Sequence, residues 1–143
     1  MAILFFNQDT SYRLQNKRLL RKWIVQVIHM NNKLVGDINI ILTNDNFLLA
    51  MNKEYLHKDN FTDIIAFNYN TDDLIQGDLY ISHQRVGENA CKFGVKKDNE
   101  MRRVIIHGIL HLLGWNDTTE EEKMKMHRQE NTYLNLFKDV GSL

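Results

Sequence analysis

Hydrophobic residues fall in two rhythms along this chain, and each change of rhythm marks an element. Residues 2–6, A-I-L-F-F, are apolar and β-prone and predict a first strand. From Leu14 to Asn31 the rhythm is helical, with Leu20, Trp23, Ile24, Val27 and Ile28 on one face. Arg13, Lys17 and Arg21 recur at four-residue spacing on another face, beside Arg18 and Lys22, so the helix should expose a basic stripe. Asp37 to Thr43, D-I-N-I-I-L-T, reads as a strand, and Asp45 to Tyr55 as a short helix. Ile64 to Tyr69 and Gly77 to Ser82 predict two more strands, the first entered from a Thr62-Asp63 turn. Ser82 can cap a helix running to about Lys92. The helix from about Asp98 carries Val104, Ile105, Ile106, Leu110, Leu112 and Leu113, apolar on nearly every side as a buried central helix would be. Thr118 or Thr119 caps a terminal helix, each having Glu three residues later. The expected fold is a small α+β domain spanning 1–143, a mostly four-stranded β-sheet surrounded by about five helices.

Composition narrows this picture without supplying a function. A chain of 143 residues can bury about two thirds of its unfolded surface in one core. No apolar run approaches the roughly 18 residues that span a bilayer, and M-A-I-L-F-F-N lacks a basic leader, so no membrane role is expected. The single cysteine, Cys91, excludes an internal disulfide framework and fits the reducing cytoplasm. It is expected to be a buried small apolar side chain. Proline is absent, which excludes cis-proline chemistry. The formal net charge of zero argues at first sight against a nucleic-acid partner. Residues 1–36, however, hold six Lys or Arg against one acid, and a basic side on a neutral protein can still steer towards RNA phosphates.

The chemistry concentrates between His107 and Asp117, in H-G-I-L-H-L-L-G-W-N-D. Histidines four apart on a helix point the same way. Gly114 can take the left-handed conformation that stops the helix and returns the chain, bringing Asp117 towards the two imidazoles. His107, His111 and Asp117 would then form a three-ligand metal site with one position open, the arrangement of catalytic zinc. Metzincin proteases share this spacing but carry Glu after the first His as general base, where this chain has Gly108. Proteolysis is therefore disfavoured. His29, His57, His83 and His127 lack ligand spacing and are expected on the surface, and Met126, Tyr133 and Phe137 in the core. Asp63, in its turn, can orient a ligand histidine or a water at the metal, or merely hold the turn.

The string H-G-I-L-H-L-L-G-W resembles the signature H-G-x-L-H-L-x-G-[YW]-D-H of the YbeY family of bacterial endoribonucleases. Asn52 to Phe67, N-K-E-Y-L-H-K-D-N-F-T-D-I-I-A-F, resembles the family's N-x-x-Y-R-x-K-D-x-P-T-D-V-L-S-F, and Gly77 to Ser82 its G-D-I-x-I-S strand. With Met126 and Glu130 downstream, the resemblance covers roughly residues 35 to 137. It implies a zinc-dependent endoribonuclease specific for single-stranded RNA, acting in 16S ribosomal RNA 3′-end maturation, rRNA processing and quality control of the small ribosomal subunit. Nickel or another divalent ion can occupy the same ligands. A metallohydrolase of peptides or phosphate esters, and a catalytically weak ribosome-assembly factor, are the competing readings.

Two departures matter. Asn116-Asp117 stands where the family has Asp-His, so a carboxylate replaces an imidazole as third ligand and predicts a weaker Lewis acid. Leu56 stands where the family has Arg, and leucine cannot donate to a phosphate oxygen. Another cation must substitute, and Arg85, Arg102 and Arg103 are the candidates by proximity to the motifs.

Overall fold

In a computed structural model that describes residues 2–141, two strand–helix pairs and a strand pair precede three helices. The elements are β1 (Ile3–Asn7), α1 (Lys17–Met30), β2 (Leu34–Thr43), α2 (Asp45–Tyr55), β3 (Ile64–Asn68), β4 (Leu74–Ser82), α3 (His83–Phe93), α4 (Lys97–Leu112) and α5 (Glu120–Gly141). The four strands form one mixed sheet in the order β1-β2-β4-β3. β1 and β4 both run parallel to β2, and β3 is antiparallel to β4 at the edge. The expected small α+β domain with four strands and five helices is what the described residues form.

The core lies on one face of the sheet. Ile40 and Leu42 of β2 stand beside Leu79 and Ile81 of β4, and with Ile38 and Ile75 they meet Trp23, Ile24 and Val27 of α1 and most of α4. Trp23 is fully buried and donates its indole N–H to the Tyr133 carbonyl (2.7 Å), stapling α1 to α5. Met126 and Tyr133 are buried and Phe137 packs against the same cluster, as their helical spacing predicts. Among the described residues no helix is long and apolar enough to cross a membrane.

Local chemistry sets most boundaries. Ser82 caps α3 by accepting from the Arg85 N–H. Of the two threonines before α5, Thr119 makes the reciprocal cap: its hydroxyl accepts from the Glu122 N–H (3.1 Å) and its own N–H donates to the Glu122 carboxylate (3.0 Å). α1 begins at Lys17 rather than Leu14, because Asn16 adopts a left-handed conformation (φ 59°) that ends any helix extended upstream. Arg13 is therefore off the helix, and Arg21 is engaged by the β1 edge, donating to the Ile3 carbonyl. The basic stripe reduces to Lys17, Arg18 and Lys22. β2 and β4 start three residues earlier than their patterns predict, since Leu34 and Leu74 still pair across the ladder.

Two further expectations are corrected. Cys91 is exposed, not buried, because the inward face of α3 is set by Val86 and Ala90, and the next residue rotates about 100° away from it. His29, His57 and His127 are exposed as expected, but His83 is half-buried, stacked on Tyr12 with ring centroids 5.0 Å apart. Burial, assisted by Lys97, lowers its pKa.

Candidate metal centre

α4 delivers the first two site residues. It is apolar almost all round, with Met101, Val104, Ile105, Ile106, Ile109, Leu110 and Leu112 buried, so it lies between the sheet and α5 with one polar strip. His107 and His111 occupy that strip and face a cleft of about 470 Å³ formed with the α2–β3 loop and β3.

Gly114 ends the helix at φ 98°. Its N–H donates to the His111 carbonyl and the Trp115 N–H to that of Leu110, both at 3.0 Å, the double bond of a Schellman turn. The reversal returns Asp117 to the histidines. His107 Nε2 lies 3.0 Å from His111 Nε2 and 3.2 Å from Asp117 Oδ2, and His111 Nε2 lies 3.5 Å from the same oxygen. Tetrahedral ligands about 2.0–2.1 Å from a zinc ion stand about 3.3 Å apart. The donor triangle therefore fits one small divalent ion and stands at the cleft wall.

The residue behind His107 sets its tautomer. Glu130 of α5, 5% exposed, lies 2.7 Å from His107 Nδ1 through Oε2. A proton on Nδ1 donated to this carboxylate leaves the Nε2 lone pair facing the triangle, as a metal ligand requires. The other Glu130 oxygen accepts from Arg103 Nη1 (2.9 Å), and Arg103 Nη2 donates to Asn131 Oδ1 (2.7 Å). Burial works against a charged His107, yet the bond to Glu130 and the nearby Asp117 and Asp63 raise its pKa on balance. The same acidic surroundings stabilise a cation between the ligands.

Asp63 lines the cleft with the two histidines, as its position in the Thr62-Asp63 turn suggested. Its carbonyl accepts from the Ser82 N–H, fixing the turn against β4. Burial raises its carboxyl pKa, with His107 opposing. Leu56 also lines the cleft, so the apolar side chain at this position faces the site. None of the three arginines considered as substitutes enters it. Arg85 pairs with Asp45 and Glu88, Arg103 with Glu130, and Arg102 lies over Phe137 on another face. The cation on the cleft wall is Lys58. The loop that presents it is built on Asn52, 2% exposed, whose carbonyl accepts from the Leu56 and Lys58 N–H groups and whose amide donates to the Asn60 carbonyl. Lys58 lay inside the motif all along, but nothing in its spacing marked it above Lys53 or His57.

Gly108, beside the two histidines on α4, packs against the sheet. A Cβ there would lie 2.6 Å from Ile64 Cδ1 and 2.9 Å from Leu79 Cδ1. The position that carries the general base in a metzincin is thus packed into the core here. Gly108→Ala is expected to destabilise the fold by about 1–3 kcal/mol through overpacking, measured by urea unfolding. An unchanged midpoint would show that Ile64 and Leu79 can move aside.

A sequence model described as Endoribonuclease YbeY matches residues 5–138. The chain belongs to the YbeY endoribonuclease family. Its YbeY-family relatives include proteins named Endoribonuclease YbeY from Christiangramia forsetii, 43% identical over 94% of this chain and 94% of that one, and from Flavobacterium psychrophilum, 39% identical over 94% and 96%. A Thermotoga maritima protein solved in solution shares the fold, with a TM-score of 0.66 at 23% identity, over 95% of this chain and 89% of that one. Asp117 and Leu56, the two departures from the motif pattern, both line the cleft.

Proposed function

We propose that this chain is a single-domain, metal-dependent endoribonuclease that cuts single-stranded RNA, with zinc held by His107, His111 and Asp117. The observation that carries the reading is the Nε2, Nε2, Oδ2 triangle at the wall of an open cleft, in a chain of the YbeY family. When bound, zinc supplies Lewis-acid polarisation of a phosphoryl oxygen and acidifies water. Lys58 meets a non-bridging phosphate oxygen and holds the backbone over the site. Asp63, its carboxyl made a better proton acceptor by burial, takes the proton from the attacking hydroxyl at a carboxylate oxygen. Glu130 keeps the His107 proton on Nδ1 throughout. The biological substrate on this reading is ribosomal RNA of the small subunit, with 16S 3′-end maturation, rRNA processing and ribosome quality control as the setting and the cytoplasm as the compartment.

The test is to strip the protein of metal, present a labelled single-stranded oligoribonucleotide, and add zinc, nickel or manganese in turn. Cleavage restored by a metal is expected. No cleavage under any metal would overturn the reading and favour an assembly factor, the alternative that Leu56 in the cleft supports. Products ending in a 2′,3′-cyclic phosphate would show attack by the ribose 2′-OH, whereas 3′-hydroxyl and 5′-phosphate ends would show attack by water.

Lys58→Ala is expected to lower kcat/KM about tenfold or more, since one charge-assisted bond to phosphate contributes about 1.5–3 kcal/mol. Leu56→Arg is expected to restore part of that loss in the same background. Steady-state kinetics on one oligoribonucleotide checks both, and a Lys58→Ala enzyme as fast as wild type would remove the lysine from the mechanism.

A further inference from the structure

A second, larger groove of about 710 Å³ opens between the end of α3, the first turns of α4 and the outer half of α5. It shares Arg103 with the metal centre, so its wall is linked to His107 through Arg103 and Glu130. Its volume lies within the about 300–1,000 Å³ typical of small-molecule sites.

One acidic side chain lines this groove. Glu100 is 7% exposed and lines the groove, yet its carboxylate makes no hydrogen bond or ion pair among the described residues. Burial raises its pKa, opposed by Arg103. Its carboxylate oxygens are open to the groove rather than sealed in the core, so they can accept from a ligand there. Around it stand groups of a different kind. Arg102 lies flat over the Phe137 ring (4.7 Å), donates to Asn99 and has no carboxylate partner among the described residues. Phe93, 59% exposed, presents a ring at the mouth. Aromatic and guanidinium planes beside hydrogen-bonding groups are how proteins hold unstacked RNA bases.

We propose that this groove is a nucleobase pocket selective for guanine, taking a base of the RNA whose backbone crosses the metal cleft. The proposal rests on the ribonuclease reading above. A carboxylate offers two acceptors side by side, and guanine alone among the four bases presents two adjacent donors, N1–H and the 2-amino group, on its Watson–Crick edge. Glu100 receives both, Phe93 stacks on the base, and Arg102 meets the phosphate attached to it.

The experiment is an amide NMR titration of the full-length, zinc-loaded protein with GMP, IMP, AMP, CMP and UMP, and with inorganic phosphate as control. GMP is expected to shift resonances around Phe93, Glu100 and Asn131 and to bind most tightly. IMP, which lacks the 2-amino group, should bind about tenfold more weakly. Glu100→Gln should remove the distinction between them, and Phe93→Ala, at an exposed position, should weaken all five nucleotides without affecting folding. An oligouridine carrying one guanosine should bind about tenfold more tightly than oligouridine alone. Equal binding of all nucleotides, shifts confined to Asp63, His107 and Asp117, or shifts reproduced by phosphate would each overturn the proposal. Discrimination of free GMP without discrimination of the oligonucleotides would overturn the RNA assignment. None of these readouts requires turnover, so a protein that cleaves RNA but ignores guanine sinks this proposal alone. One that selects guanine but never cleaves sinks the ribonuclease reading alone.

Discussion

His111→Ala is expected to lower single-stranded RNA cleavage by at least about a thousandfold while leaving the fold in place. The functional half follows from the geometry of the triangle. His111 Nε2 is one of three donors, and without it only His107 and Asp117 remain to hold an ion. Metal polarisation of a phosphoryl group contributes several kcal/mol to the transition state, and about 4 kcal/mol corresponds to a thousandfold in rate. The structural half follows from exposure. The His111 side chain is 30% exposed at the cleft wall, so truncation leaves no sealed cavity. The change in stability is therefore expected within about 0.5–1 kcal/mol. The measurement is cleavage of a labelled oligoribonucleotide together with zinc stoichiometry and a thermal melt. An alanine enzyme with wild-type activity would remove the metal centre from catalysis. Loss of activity accompanied by a collapsed melting temperature would show instead that His111 is structural.

That outcome bears on why this site was legible in the sequence. Its three residues are local: a four-residue step along one helix, a glycine at the helix end, and three more residues back to Asp117. Helix periodicity and the Schellman turn turn that spacing into position without reference to the rest of the fold. The fold class was legible for a similar reason, since each strand and helix carries its own period of apolar residues. What could not be read depends on packing between distant segments. Glu130 reaches His107 only because α5 lies along α4, a relation settled by Trp23, Met126 and Tyr133 in the shared core. Glu100 looks like an ordinary first-turn acid, which helices favour at that end, yet it is buried by the neighbouring helices. Lys58 acquires its role from a loop organised by the buried Asn52. The exposure of Cys91 follows from which side of α3 meets the core, a choice its sparse apolar pattern leaves open. The arginines considered as phosphate partners were already committed to carboxylates or to the outer groove.

Glu130→Ala should show how far that packing governs the metal. Its carboxylate is the one group that touches both His107 and Arg103, and it is 5% exposed. Removing it leaves Arg103 with Asn131 and His127 but no carboxylate to pair with, and frees the His107 ring to adopt either tautomer. Partners behind a ligating histidine are worth about 10- to 100-fold in metal affinity, so zinc should be held more weakly by that factor. The fold should lose about 2–3 kcal/mol, below the 3–5 kcal/mol of a fully buried broken pair. The discount arises because the Arg103 side chain is 28% exposed and can turn partly to water. Glu130→Gln separates the two effects. Its carbonyl oxygen can still accept from His107 Nδ1, while its amide has nothing to accept from Arg103. It should retain most of the zinc affinity and lose most of the ion-pair stability. Chelator competition for zinc and urea unfolding, run on both variants, give the two numbers. Equal zinc affinity in Glu130→Ala and wild type would mean that α4 alone positions His107, and that α5 contributes only to the core.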